Sequence, residues 1–267
     1  MKIALGVEYC GSQFFGWQIQ TQARSVQGCL EMALTKVANH PVTVICAGRT
    51  DTGVHAIGQV IHIDVTAQRS PRSWILGTNS NLPHDISILW AQEVDDSFHA
   101  RFSATARHYR YIILNRFTRP AVLSQRVTWY YQPLDVERMQ LAANDLIGTH
   151  DFTSYRALNC QAKNPVRTIS QLNIFRQEDL IIIDISANAF LYHMVRNIAG
   201  VLMAIGSGKQ PTSWAQTVLA ARDRTAGGIT APASGLYFCQ VDYPSPYIFP
   251  KAGKDSLLPK SLGNHSS

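Results

Sequence analysis

Nothing in this 267-residue sequence is long and apolar enough to span a bilayer. The longest apolar runs, Leu180 to Ile183 and Val201 to Ile205, fall far short of the roughly 18 to 20 residues that a spanning helix requires. A secretory signal is also missing, since Lys2 leads into Gly6 and Glu8 within a strand-like pattern rather than into an apolar core. Both absences predict a cytoplasmic protein with no membrane partner. The five cysteines, Cys10, Cys29, Cys46, Cys160 and Cys239, are scattered, odd in number and free of any CxxC pair. A disulfide framework and a cysteine-rich zinc site are therefore not expected. His55, His62, His99, His108 and His193 show neither HExxH spacing nor a partnering cysteine cluster, so no metal site is expected.

Charge is sparse, at 16% of residues against 46% hydrophobic, which places the chain among ordinary globular proteins. Acids are the scarcer sign: 18 face 24 Lys plus Arg, a formal charge of +6 that favours a polyanionic partner. Ser97 to Leu134 holds no acid at all. It carries Arg101, Arg107, Arg110, Arg116, Arg119 and Arg126, interleaved with Phe98, Phe102, Tyr109, Tyr111, Phe117 and Trp129. Phe152 to Gln177 repeats the pattern with Arg156, Lys163, Arg167 and Arg176. Guanidinium groups neutralise phosphates and rings stack on unpaired bases, so the mixture suits RNA; a solvated basic face over an aromatic core is the alternative.

Apolar periodicity reads as mixed α and β. Ile3, Leu5, Val7 and Tyr9 alternate as a half-buried strand, and Ser25 caps a helix with Val26, Leu30, Leu34 and Val37 on one stripe. Further strands are predicted at 42–47, 58–65, 88–94, 107–114, 168–175, 180–186 and 236–242. Helices are predicted at 71–76, 136–147, 193–205 and 214–222. The length and element order suggest two α/β domains, 1–105 and 106–243, with 244–267 as a disordered tail rich in Pro, Gly, Ser and Lys.

The densest candidate site is Ala47 to His55, Ala-Gly-Arg-Thr-Asp-Thr-Gly-Val-His, leaving an apolar strand. Gly48 and Gly53 permit tight or positive-φ backbone and close approach of a ligand. Thr50 and Thr52 are expected to hydrogen-bond the loop to itself and fix the Asp51 carboxylate. A β-turn that Asp51 merely bends is the competing reading. On the helix predicted at 193–205, Met194, Val195, Ile198, Val201, Leu202 and Ile205 make an apolar stripe, while His193, Arg196 and Gly200 line another face.

The string Gly48 to Ala56 closely resembles the signature loop of the tRNA pseudouridine synthase A family. Glu8-Tyr9-Cys10-Gly11, Phe15-Gly16-Trp17-Gln18, Phe98 to Arg101, Arg107 to Tyr111 and Phe190 to Arg196 resemble further family blocks in the same order. The resemblance spans Lys2 to about Asp242. It implies a pseudouridine synthase fold, with largely antiparallel sheets flanking a central RNA-binding cleft. It also implies conversion of uridine to pseudouridine in the anticodon stem-loop of tRNA, at positions thirty-eight to forty, without metal or organic cofactor, by a homodimer. Residue by residue, Asp51 matches the catalytic carboxylate and Arg196 the arginine that pairs with it. Tyr109 matches the tyrosine that stacks on the target base, Arg49 an arginine near the flipped nucleotide, and Leu236 an apolar residue beneath the site. Arg101, Arg107 and Arg110 are expected to contact RNA. Cys10 stands where the family has Asp, and Ile19 where Arg is common. Two other readings compete. One is a non-catalytic tRNA-binding or folding module; the other is a glycosidase-like hydrolase, which the lack of a second acid beside Asp51 disfavours.

Overall fold

The computed structural model describes residues 1–251. Ten strands form one sheet: β1 (Lys2–Tyr9), β2 (Ile45–Cys46), β3 (His55–Asp64), β4 (Ile86–Val94), β5 (Ala106–Asn115), β6 (Thr128–Tyr130), β7 (Gly148–Asp151), β8 (Val166–Gln177), β9 (Leu180–Ala187) and β10 (Leu236–Asp242). Their order is β4-β1-β3-β10-β5-β9-β8-β7, with β2 beside β3 and β6 beside β5. Pairings are antiparallel except β10 with β3 and β6 with β5. The mixed, mainly antiparallel architecture expected from the sequence is therefore present. The sheet is not divided in two, because the last strand, β10, lies between β3 and β5 and joins the halves.

Central position explains strand composition. β9, LIIIDISA, is buried on both faces along almost its whole length, so it reads as a continuous apolar run rather than an alternation. The helices are α1 (Val26–Ala38), α2 (Pro71–Asn79), α3 (Val136–Asn144), α4 (Met194–Gly206) and α5 (Trp214–Ala221). Ser25, Ser70 and Asp135 cap the first three by accepting from the amides of Gly28, Ser73 and Arg138. None of these helices is long and apolar enough to cross a membrane.

Two short strands escaped the sequence reading. β6 and β7 have three and four residues, too few for a periodic signal. α3 ends at Asn144 instead of Ile147, because the amides of Leu146 and Ile147 turn back to the carbonyls of Ala143 and Asn144. Residues 244–251 are a correction to the predicted tail. Phe249 stacks on Trp90 at 4.9 Å between ring centroids, and Tyr247 packs on Phe98 at 4.9 Å and bonds Asp95 through its hydroxyl. Composition hid these aromatic anchors among prolines and serines. Residues 252–267 of the predicted tail lie outside the described residues.

Candidate active site

The 47–55 loop leaves β2 and returns into β3, and neighbouring elements hold it at Ala47, Gly48 and Thr50. The Ala47 amide donates to the Val60 carbonyl (2.8 Å), Gln59 Nε2 to the Gly48 carbonyl (2.7 Å), and the Trp17 amide to the Thr50 carbonyl (2.9 Å). Thr50 bonds the Tyr9 hydroxyl of β1 at 2.7 Å, so the loop is tied to the sheet rather than to itself as the sequence suggested. Within the loop the Val54 amide closes on the Asp51 carbonyl (3.1 Å). Gly53 has φ +80°, a conformation L side chains resist. Gly16 has φ +88° and would carry its Cβ only 3.0 Å from the Thr50 carbonyl oxygen, so the FGW segment reaches the loop only because that side chain is absent.

Asp51 projects toward the start of α4, its side chain 18% exposed. Arg196 Nη1 donates to Asp51 Oδ2 at 3.4 Å, and His193 Nε2 stands 3.4 Å from the same oxygen. Arg196 is aimed by a second bond, from Nε to the Ala231 carbonyl at 2.8 Å, while the Ala231 amide donates back to the Arg196 carbonyl. The chain can cross α4 there because Gly200 has no Cβ; one would sit 1.9 Å from the Ile229 carbonyl oxygen. Burial pushes the Asp51 carboxyl above its ordinary value, and His193 and Arg196 oppose that rise.

Tyr109 lies on β5 opposite Phe238, its ring nearly buried and met edge-on by Phe190 and Phe238 at about 5 Å. Burial, with Tyr9 and Asp51 nearby, pushes its phenol well above the usual range, so it stays protonated. Gly48 brings the loop against this cluster, its missing Cβ 3.3 Å from the Phe238 ring and 3.9 Å from the Tyr109 hydroxyl. Leu236 opens β10 opposite Tyr111 and is buried. Arg49 is exposed on the loop.

The three arginines expected on RNA part company. Arg101 is exposed, its guanidinium 5.6 Å from the centre of the Phe102 ring. Arg107 is committed elsewhere: its two Nη atoms donate to the carbonyls of Ala104, Asn188, Ala47 and Arg101. Arg110 is only 3% exposed and is paired with Asp184 through two 2.7 Å bonds. Both guanidinium groups are thus engaged within the framework. Arg107 clips the 101–104 segment to the 47–55 loop, and Arg110 joins β5 to β9.

His193 is the site residue that the sequence reading left unassigned. Its signal was its place three residues before Arg196 on one helix face, although spacing alone did not predict its left-handed backbone, φ 61°. His55 has a scaffold role. Its Nδ1 accepts from the Gly11 amide at 3.0 Å, which leaves Nε2 as donor to the Gln125 carbonyl.

Residues 6–103 and 142–244 match the family model described as tRNA pseudouridine synthase. The chain is 59% identical over 254 residues to the tRNA pseudouridine synthase A of Nitrosococcus oceani, covering 95% of this chain and 98% of that one. It is 57% identical over 250 residues to the tRNA pseudouridine synthase A of Escherichia coli O1:K1, covering 94% and 93%. Among solved structures, a Cbf5-Nop10-Gar1 complex aligns with TM-score 0.35 and 10% identity over 75% of this chain and 45% of that chain, a likeness too remote to bear on the site.

Proposed function

The chain belongs to the tRNA pseudouridine synthase family, and from that premise we propose that it isomerises uridine in the anticodon stem-loop, at positions thirty-eight to forty, with Asp51 as catalytic carboxylate. The enzyme class, an isomerase acting on tRNA, follows from the family itself. One observation carries the residue assignment: two nitrogen-bearing side chains from α4 and its cap converge on the Asp51 carboxylate at the mouth of a loop held by β1, β3 and the FGW segment.

The reaction breaks the N1–C1′ bond, turns the uracil and joins C5 to C1′; the proton leaves C5 for solvent and N1 gains one. A carboxylate serves such a sequence in its ionised form, as nucleophile or base. The counter-charges on Asp51 oppose the effect of burial and favour that form. Reaching a stacked uridine requires everting it, at a cost of a few kcal/mol, which stacking and phosphate contacts must offset. Tyr109 stacks on the everted base, Leu236 supports the floor of the site, and Arg49 and Arg101 engage the RNA backbone. The reading includes a cytoplasmic homodimer, which a monomer mass in light scattering would contradict.

Incubation with tRNA tritiated at uracil C5 tests the assignment. Wild-type protein is expected to release label, and Asp51→Asn to release none while retaining tRNA affinity within about threefold. Release by the variant would reject Asp51 as the catalytic group.

A further inference from the structure

We propose that His193 is a positioning residue: with Arg196 it holds Asp51 Oδ2, so that the carboxylate presents Oδ1 to the nucleoside. The inference rests on the isomerase reading above. Its first support is the shared target. Arg196 Nη1 and His193 Nε2 both lie 3.4 Å from Oδ2, whereas Oδ1 accepts no hydrogen bond from any described residue. A carboxylate fastened through one oxygen keeps a defined direction for the other.

The second support is backbone strain. His193 occupies the left-handed region at φ 61°, ψ 5°, immediately before α4, and its side chain caps no amide of the helix. That conformation is unfavourable for a non-glycine residue, and such strain persists only where surrounding contacts impose it. Here the Met194 amide bonds the Leu191 carbonyl and the Asn197 amide the His193 carbonyl, fixing the turn. The imidazole then stacks on Tyr192 at 4.1 Å and points to Asp51. Asn or Gly would suit the cap better, yet the chain places a long N–H donor there.

Four groups bear on the imidazole: Asp51 from the loop, Arg196 from α4, Tyr192 beneath it, and Arg224 from the turn Arg224–Ala226. Burial pushes His193 below its ordinary value, Asp51 opposes this, and Arg196 and Arg224 reinforce it. Burial moves Asp51 in the other direction, so the charge on each group bears on the proton of its neighbour. The imidazolium favours an ionised Asp51, so removing that charge moves the acid limb of turnover to higher pH.

The experiment measures kcat and KM for tritium release across about pH 5 to 8. It compares wild type, His193→Gly, which removes the ring without backbone strain, and His193→Gln, which keeps an N–H near the Nε2 position. For His193→Gly, kcat is expected to fall at least about tenfold with KM within about twofold, since the loss is of alignment rather than of binding. For His193→Gln, kcat is expected within about threefold, with the acid limb raised by about half a pH unit. A His193→Gly protein that melts with wild type and keeps kcat within about twofold, or a Gln variant with an unmoved acid limb, overturns the inference alone. Absence of release from wild type overturns the isomerase reading and this inference with it.

Discussion

Arg110 and Arg101 carry the same charge and do different things. Arg110 is sealed between β5 and β9 against Asp184, so replacing it with Ala leaves a nearly buried carboxylate without its two-bond partner. Loss of such a partner costs about 3 kcal/mol or more. Arg110→Ala is expected to lower the urea midpoint strongly and to leave the tRNA affinity of the folded fraction unchanged. Arg101→Ala, at an exposed position, is expected to do the opposite, weakening tRNA binding about three- to tenfold and reducing its salt dependence without shifting the midpoint. Filter binding over a salt series beside urea denaturation separates the two. Sequence patterning saw an acid-free basic stretch in both cases and could not tell them apart, because Asp184 lies 74 residues away. The Asp51–Arg196 pairing was legible only through family resemblance. Its helical spacing showed which face Arg196 uses but not that Ala231 aims it.

At the scale of elements, α4 illustrates where periodicity succeeds. Its apolar stripe gave its bounds to within one residue, and Arg196 and Gly200 lie half-buried on the other face that the spacing marked out. What spacing could not supply was the purpose of Gly200. The carbonyl of Ile229 occupies the space of its absent Cβ, so Gly200→Ala must push the 229–231 segment outward. Ala favours an isolated helix by about 1 kcal/mol over Gly. The clash is expected to outweigh that, for a net loss of about 1–3 kcal/mol. The same displacement pulls the Ala231 carbonyl from Arg196 Nε, so the variant is expected to lose turnover more than tRNA affinity. Calorimetry and the tritium assay would show both, and a more stable, fully active variant would refute the account. Strands β6 and β7 stayed hidden for the converse reason. Each is too short to carry a period, and pairing with β5 and β8 makes them strands.

For the molecule as a whole, the segment beyond β10 matters more than its composition suggested. Tyr247 and Phe249 cover Phe98, which is fully buried, and Phe249 also covers Trp90. A chain ending at Tyr243 would expose this aromatic group. With both rings only partly buried, the expected loss is about 2–4 kcal/mol, a substantial share of the roughly 5–15 kcal/mol that holds a typical domain. Urea denaturation of the shortened protein checks this, and an unchanged midpoint would show the segment to be dispensable.

The place of β10 also sets a timetable for the nascent chain. The strand that separates β3 from β5 is nearly the last piece of described sequence to be made, yet the Asp51 loop and Tyr109 lie on opposite sides of it. A ribosome that has released everything up to residue 235 has produced two half-sheets with raw edges facing one another. Unpaired strand edges of this kind are prone to pair with other chains. Catalytic competence should therefore arrive abruptly once β10 has emerged, and products that stop short of it should aggregate rather than work slowly.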